Sequence, residues 1–150
     1  MKRAIFPGSF DPITIGHQDI VKLGLEIFDE IIIGIGKNED KKCMFSPEKR
    51  LSIVQETFKN EKNVKAEIYE GLTVDFCNYK NSGFIIRGLR NSLDFEYEKR
   101  VALTNRKISG IETVFFFTKA ENSFISSSLV REIIINNGDY SLLIPKGITI

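Results

Sequence analysis

Two side chains near the N-terminus suit chemistry on an anion: Ser9 and His17, the only histidine in the chain. They lie near the two ends of a loop rich in glycine and proline, which follows a short apolar run at residues 4–6. A strand that passes through such a loop into a helix favours phosphate, because free backbone N–H groups and the helix dipole attract negative charge. The same dipole is expected to keep the imidazole neutral, able to donate one N–H to a phosphate oxygen.

The loop matches neither of the two common phosphate-binding patterns. The chain contains no Gly-x-x-x-x-Gly-Lys-Ser/Thr run. Gly34 and Gly36 begin a dinucleotide fingerprint that fails because position 39 is Glu. A lone histidine at a helix start is more often structural than functional, but the adjoining glycine loop favours a functional interpretation of His17.

Arg87 and Arg90 flank a glycine at the end of a predicted strand. Two guanidinium groups at such a position suit bidentate binding of a phosphate. The alternative is a pair of solvated arginines, each held by a nearby acid such as Asp94 or Glu98.

Lysines and serines supply further candidate anion contacts. Lys41 and Lys42 follow the second predicted strand, although at least one of them is readily explained as part of a solvated loop. The hydroxyls at residues 126–128 open a predicted helix, where they suit either a polyphosphate or ordinary helix capping. Each signal is modest alone, and their meeting at one place would make the case.

The reaction that suits these groups is phosphoryl or nucleotidyl transfer. No serine stands at motif spacing from a histidine, and no carboxylate cluster suggests a metal cage. Backbone N–H, hydroxyl, imidazole and cationic groups stabilise developing negative charge, and transfer of this kind depends mostly on positioning and charge neutralisation. A phosphate acceptor is already anionic at neutral pH, so it needs no general base.

Composition limits the other function classes. The chain has 150 residues, which we assign to a single domain spanning 1–150, and its net charge of +1 disfavours a nucleic-acid partner. Cys43 and Cys77 lie far apart, which disfavours a disulfide or zinc site and fits a reducing cytosol. The apolar runs are too short to span a membrane.

Apolar periodicity predicts five strands that alternate with five helices. The predicted strands cover residues 2–6, 30–35, 64–68, 84–86 and 113–118. The predicted helices begin at 17, 46, 71, 91 and 125 and end near 28, 58, 81, 107 and 138. This alternation is typical of a doubly wound α/β fold with a mainly parallel five-stranded sheet, with the short third strand toward an edge.

Ligands of such folds bind beyond the carboxyl ends of the strands. That rule gathers four loops at one edge of the sheet, namely residues 9–17, 37–42, 87–90 and 122–128. The polar side chains of these loops share a preference for anions.

Three motifs together carry a family resemblance. Gly-Ser-Phe-Asp-Pro with Thr-Ile-Gly-His at residues 8–17, and Ser-Phe-Ile-Ser-Ser-Ser-Leu-Val-Arg at 123–131, resemble the signature of the nucleotidylyltransferase superfamily. Arg-Gly-Leu-Arg followed by Asp-Phe-Glu-Tyr-Glu at 87–98 resembles, in order and spacing, the phosphopantetheine adenylyltransferase family.

The resemblance implies a Rossmann-like nucleotidylyltransferase fold and an enzyme of coenzyme A biosynthesis. Such an enzyme transfers the adenylyl group of ATP to 4'-phosphopantetheine, giving dephospho-coenzyme A and pyrophosphate. The resemblance further implies direct in-line attack without a covalent intermediate, the use of Mg2+, and a cytoplasmic homohexamer without nucleic-acid or membrane partners.

The resemblance also assigns residues, and none of them ligates a metal. The catalytic set is His17, Lys41 and Arg90. The ATP-binding set is Ser9, Phe10, His17, Gly88, Leu89, Arg90, Glu98, Asn122, Ser123, Phe124, Ile125, Ser126, Ser127 and Ser128. The phosphopantetheine-binding set is Ser9, Lys41, Thr73, Arg87 and Asn105. Relatives often carry an aromatic residue at the position of Asn122.

Two alternatives stay open. One is a related transferase with another phosphate acceptor, such as nicotinamide mononucleotide or glycerol 3-phosphate, against which the motif at 87–98 argues. The other is a non-catalytic nucleotide-binding module, against which the presence of His17, Lys41, Arg87 and Arg90 argues.

Overall fold

The computed structural model, which describes residues 1–150, contains five strands. They are β1 (Arg3–Gly8), β2 (Glu30–Gly36), β3 (Val64–Tyr69), β4 (Phe84–Leu89) and β5 (Glu112–Phe117). All pair in parallel to form one sheet in the order β3-β2-β1-β4-β5. The predicted parallel sheet is confirmed, with β3 at an edge.

Five α-helices connect and follow the strands. They are α1 (Ile15–Leu25), α2 (Pro47–Thr57), α3 (Thr73–Tyr79), α4 (Ser92–Ser109) and α5 (Ser127–Ile135), with a short 3-10 turn at Ala120–Asn122. Side chains of Thr14, Ser46, Asn91 and Ser126 cap four of the helices by accepting a backbone N–H. None of the helices combines the length and the apolar character that crossing a membrane requires.

Apolar side chains fill both faces of the sheet. A large cluster includes Ile31, Ile33 and Ile86, and a smaller one on the other face includes Ile5 and Ile32. Because β1 and β2 are central, nearly all their side chains are buried, which explains their continuous apolar sequence.

The structure corrects several predicted boundaries. β4 continues to Leu89 instead of stopping at 86, because residues 87–89 pair with 115–117 of β5. Arg87 therefore lies within a strand. Helix α1 begins at Ile15, two residues before the predicted start, because Thr14 caps it. Helix α5 ends at Ile135, three residues before the predicted end at 138, and Asn137 beyond it takes a left-handed conformation with φ 57°.

The strand order reverses between β1 and β4, whose successors lie on opposite sides of the sheet. A crevice opens at such a switch point, beyond the carboxyl ends of the strands. At Gly88 an added Cβ would lie 2.9 Å from Cγ1 of Ile20, so glycine lets α1 approach β4 closely at this crevice.

Loss of the α2 cap tests the helix boundary. The Ser46 hydroxyl accepts the backbone N–H of Lys49 at 3.1 Å. Ser46→Ala is expected to lower the free energy of unfolding by about 1 kcal/mol, measured by urea denaturation. The control Ser52→Ala alters an exposed serine within the same helix and is expected to cause no loss. Equal losses in both variants would contradict the assignment of the cap.

Candidate active site

Two cavities open at the carboxyl end of the sheet. The first, of about 360 Å³, lies between the β1–α1 loop, the end of β4 and the start of α5. The second, of about 350 Å³, lies between β1, α3 and α4. Four polar side chains line both cavities: Ser9, Lys41, Arg87 and Glu98. We call these four residues the seam.

His17 occupies the third position of α1, where local hydrogen bonds fix its ring. The backbone N–H of Thr14 donates to Nδ1 at 3.0 Å, and the backbone N–H of His17 donates to the Thr14 hydroxyl at 3.4 Å. Because Nδ1 accepts, the neutral ring carries its proton on Nε2. The ring of Phe10 packs against it edge-on, with centroids 5.0 Å apart.

Burial and two nearby guanidinium groups keep the imidazole uncharged. Burial, followed by the positive charges of Arg87 and Arg90, lowers the pKa of His17 to about 4. The ring is therefore neutral at pH 7, as predicted from the sequence. The prediction attributed this neutrality to the helix dipole, whereas the causes in the structure are burial and the two guanidinium groups. A neutral ring with a proton on Nε2 is a hydrogen-bond donor at physiological pH.

Both arginines pair with acids. Nε and Nη2 of Arg87 donate to the two carboxylate oxygens of Glu98 at 2.9 and 2.6 Å, and Nη1 donates to the Pro7 carbonyl at 2.5 Å. Arg90 holds Asp94 in the same bidentate manner at 3.0 and 3.2 Å. Although burial raises the pKa of Asp94, hydrogen bonds from Arg90 bring it below the usual value. The pairing that the sequence left as an alternative is present, with both arginines at the first cavity.

A lysine contacts the β1 loop directly. Nζ of Lys41 donates to the Ser9 hydroxyl at 2.7 Å. Asp11 fixes the loop after β2 that carries Lys41, because its carboxylate accepts the backbone N–H groups of Met44 and Phe45, both at 2.9 Å. The loops after β1 and β2 thus form one unit.

Arg50, on α2, also holds the loops after β1 and β2 together. It is 2% exposed, and its guanidinium donates to the carbonyls of Ser9 at 2.6 Å and of Gly36 and Phe45 at 3.2 Å. Sequence reasoning missed Arg50 and Asp11. The acid between Phe10 and Pro12 gave a weak signal, since Asp before Pro favours turns. Nothing in the pattern of α2 marks Arg50.

The serines at the start of α5 all have partners. Ser126 caps the helix through the N–H of Leu129 at 3.1 Å, and the Ser127 hydroxyl donates to the Pro12 carbonyl at 2.8 Å. Arg131 donates to the Ser128 hydroxyl at 3.0 Å and to the Asp11 carbonyl at 2.8 Å. Of the two roles that the sequence left open for these serines, helix capping is therefore present for Ser126. Arg131, which sequence reasoning did not single out, lines the first cavity beside these serines.

Most of the predicted ATP-binding residues line the first cavity. They are Ser9, Phe10, His17, Gly88, Arg90, Glu98, Ile125, Ser126, Ser127 and Ser128. Phe10 as a whole is only 2% exposed, so little of it is accessible to a ligand.

The remaining members of that set, Leu89, Asn122, Ser123 and Phe124, lie outside the lining. Leu89 is buried, and the amide of Asn122 donates to the Asp19 carboxylate at 2.7 Å, joining α1 to the β5–α5 connection. By contrast, all five predicted phosphopantetheine-binding residues, Ser9, Lys41, Thr73, Arg87 and Asn105, line the second cavity.

This arrangement suits transfer between two ligands. The first cavity offers a neutral imidazole, cations and a helix N-terminus, which together suit a polyphosphate. The second cavity has charged groups at the seam and mostly neutral side chains beyond it. A ligand in each cavity would meet the other at the seam.

Comparisons with known proteins identify chains similar to this one. A family model described as cytidylyltransferase-like matches residues 5–133. A phosphopantetheine adenylyltransferase of Flavobacterium psychrophilum is 56% identical, covering 100% of this chain and 99% of the relative. The corresponding protein of Flavobacterium johnsoniae is 55% identical with the same coverage. The chain belongs to the phosphopantetheine adenylyltransferase family.

The chain is also similar in fold to solved structures of much lower sequence identity. A Vibrio parahaemolyticus structure assigned as a nicotinate-nucleotide adenylyltransferase has a TM-score of 0.66 at 20% identity, covering 96% of this chain and 94% of its own. A lipopolysaccharide core biosynthesis protein of Thermoplasma volcanium has a TM-score of 0.56 at 21% identity, covering 79% and 97%. At such identities the likeness shows a shared fold and does not indicate the substrate.

The lowered pKa of His17 predicts a pH dependence of stability. Between pH 6.5, the ordinary histidine value, and about pH 4, the unfolded chain binds a proton at His17 that the folded protein does not. The free energy of unfolding should therefore fall as the pH is lowered through this window. The contribution of His17 is the difference in slope between wild type and His17→Gln in urea denaturation.

A direct titration serves as the check on that slope. Since His17 is the only histidine, its Cε1 proton gives an unambiguous NMR signal. A midpoint near 4 is expected, whereas a midpoint near 6.5 would contradict the described environment.

Proposed function

We propose that the protein transfers the adenylyl group of ATP to 4'-phosphopantetheine, producing dephospho-coenzyme A and pyrophosphate. The observation that carries the proposal is the seam, whose Ser9, Lys41 and Arg87 line both cavities. The hydroxyl, Lys41 and Arg87, which is paired with Glu98, leave a net positive charge that suits the phosphate of an acceptor next to the phosphates of ATP. Two relatives that are more than half identical to this chain are named phosphopantetheine adenylyltransferase.

ATP would occupy the first cavity. Its triphosphate would lie between the β1 loop and the start of α5, where backbone N–H groups and Arg90 offer positive potential. His17 would donate its Nε2–H to a non-bridging oxygen of the α-phosphate. That hydrogen bond strengthens as charge builds on the oxygen in the transition state, so it contributes more to rate than to ATP affinity.

4'-Phosphopantetheine would occupy the second cavity, with its phosphate at the seam. Thr73, Asn105 and Tyr97 supply neutral polar groups, and Val101 and Ala102 supply apolar surface. Such a lining suits an uncharged, amide-bearing chain. It is poorly matched to a second charged group such as the pyridinium ring of nicotinamide mononucleotide. This lining therefore favours 4'-phosphopantetheine as the acceptor.

The transfer would be a single in-line displacement. An oxygen of the acceptor phosphate forms a bond to the α-phosphorus of ATP, while the bond from that phosphorus to the α–β bridging oxygen breaks. Pyrophosphate leaves with the bridging oxygen and the electron pair. The acceptor oxygen is already deprotonated at pH 7, so Lys41, Arg87 and His17 have only to position and neutralise charge.

Mg2+ would enter with ATP as part of the substrate. No group of three or more His, Cys, Asp or Glu side chains is arranged to hold a metal. The acids of the first cavity already have partners: Asp11 accepts backbone N–H groups, and Asp94 and Glu98 accept from arginines. Mg2+ commonly binds through substrate phosphates and water, so it fits here as the counter-ion of the triphosphate.

A cytoplasmic homohexamer completes the proposal. Support for association comes from α4, where Leu93, Tyr97, Val101 and Ile108 recur on one helical face yet remain exposed, Leu93 by 81%. An apolar stripe of this kind is typical of a helix with a partner. The two free cysteines agree with a reducing compartment.

The experiment that tests the function follows pyrophosphate release with ATP and Mg2+ present. Release is expected with 4'-phosphopantetheine, and little is expected with nicotinamide mononucleotide or glycerol 3-phosphate. Release with another acceptor alone would replace this proposal by a related transferase. ATP binding without release for any acceptor would indicate a non-catalytic module.

Removing the imidazole should damage turnover much more than binding. His17→Ala is expected to lower kcat by about 100-fold or more, with the Kd for ATP changed only a few-fold, because the hydrogen bond forms fully only in the transition state. Turnover is measured by pyrophosphate release and binding by calorimetry. Equal losses in both would make His17 an ordinary binding residue.

Removing the lysine of the seam should weaken binding of the acceptor. Lys41→Ala is expected to raise the KM for phosphopantetheine about tenfold or more, because a charge-assisted contact is lost. The matched control is Lys37→Ala in the same loop, where the lysine pairs with Glu70 at 2.8 Å and lines neither cavity. A similar rise in both variants would show that loop charge in general, and not Lys41, is responsible.

A further inference from the structure

Thr113 is the only residue in the chain whose buried side-chain polar atom has no hydrogen-bond partner. A buried hydroxyl that is left unpaired destabilises the folded state, and native structures contain few of them. An orphan of this kind calls for a partner that is absent from the free chain.

The orphan lies against the second cavity. Thr113 stands beside Ile85 in the β4–β5 pairing, and it lines the cavity together with Val101, Ala102 and Asn105 of α4. The second cavity lies between α4 and this part of the sheet. The space next to Thr113 is therefore available to a ligand.

The position of Thr113 is set by strand register. Arg87 of the seam pairs with Phe115, and Ile85 pairs with Thr113, so Thr113 lies two residues further from the carboxyl edge. That separation is about 7 Å along the strand. A chain attached to a phosphate at the seam would reach this level with its first few groups.

The oxygen is buried in the free chain, so it reaches such a ligand when the side chain turns. Rotation to another staggered position brings the hydroxyl to the place of the methyl group, while the methyl group moves to the place of the Cβ hydrogen. The charged side chains of this cavity are those of the seam, while the groups around Thr113 are neutral. The ligand group that suits this point is an uncharged hydrogen-bonding group such as an amide.

We infer that Thr113 is a specificity-determining residue for the acceptor, and that its hydroxyl hydrogen-bonds an amide of the acceptor's chain when the second cavity is filled. The inference rests on the proposed function, since it takes 4'-phosphopantetheine as the ligand of that cavity. It adds a contact on the sheet side to those offered by Thr73 and Asn105.

The test compares two substitutions of this residue. Thr113→Val removes the hydroxyl and keeps the shape, and Thr113→Ser keeps the hydroxyl. The valine variant should raise the KM for phosphopantetheine about three- to tenfold, the factor expected for one neutral hydrogen bond, with the KM for ATP and kcat unchanged. The serine variant should stay within about twofold of wild type. Thr113→Ala, which also lacks the hydroxyl, should raise the same KM.

Thermal unfolding separates recognition from a structural role. Without ligand, Thr113→Val should melt at a temperature equal to or above that of wild type, because an unpaired buried hydroxyl is removed. Addition of phosphopantetheine alone should raise the Tm of the valine variant less than that of wild type or the serine variant. Thr57→Val, which alters a half-buried threonine outside both cavities, should leave the KM for phosphopantetheine unchanged.

The outcomes are distinct. If wild type releases pyrophosphate with phosphopantetheine and Thr113→Val has an unchanged KM, the inference about Thr113 is overturned and the proposed function stands. If wild type shows no reaction with phosphopantetheine, both are overturned. A KM for ATP that rises together with that for the acceptor would also overturn the inference, because the effect would then lie in the whole site.

Discussion

The ion pair between Arg87 and Glu98 is the interaction on which the site depends. It joins β4 to α4, and a third hydrogen bond from Arg87 reaches the Pro7 carbonyl of β1. The pair therefore fixes the two strands at the switch point and sets the side of α4 that faces the sheet. The two residues also line both cavities. The contact that holds the crevice together therefore also positions a cation where two ligands would meet.

Around this pair the site is rigid because backbone groups are used as partners. Arg50 holds three carbonyls, Asp11 holds two N–H groups, and Thr14 fixes the ring of His17. Hydrogen bonds of this kind position a group before any ligand arrives, and preorganised donors need no rearrangement in the transition state. The low pKa of His17 follows from the same enclosure, since burial and two guanidinium groups both disfavour a charged ring.

The fold could be predicted from the sequence because it depends on local patterns, and so could the meeting of several polar loops at one edge of the sheet. Apolar periodicity gave the order of strands and helices, and the carboxyl-edge rule brought together loops such as 9–17 and 87–90. The extension of β4 through Arg87 could not be predicted, since it arises from pairing with Phe115–Phe117 of β5. The burial of Arg50 and the contact between Asn122 and Asp19 also escaped prediction, because distant segments decide where a polar side chain finds its partner.

In the proposed reaction, two ligands in adjoining cavities react with each other directly, with no intermediate on the protein. The stereochemical course at the α-phosphorus tests it most directly, using ATP that carries one sulfur of defined configuration on the α-phosphate and 4'-phosphopantetheine as the acceptor. A single in-line displacement predicts inversion of configuration in the thio-analogue of dephospho-coenzyme A. Retention would require two successive displacements, hence a covalent intermediate, and would contradict the account.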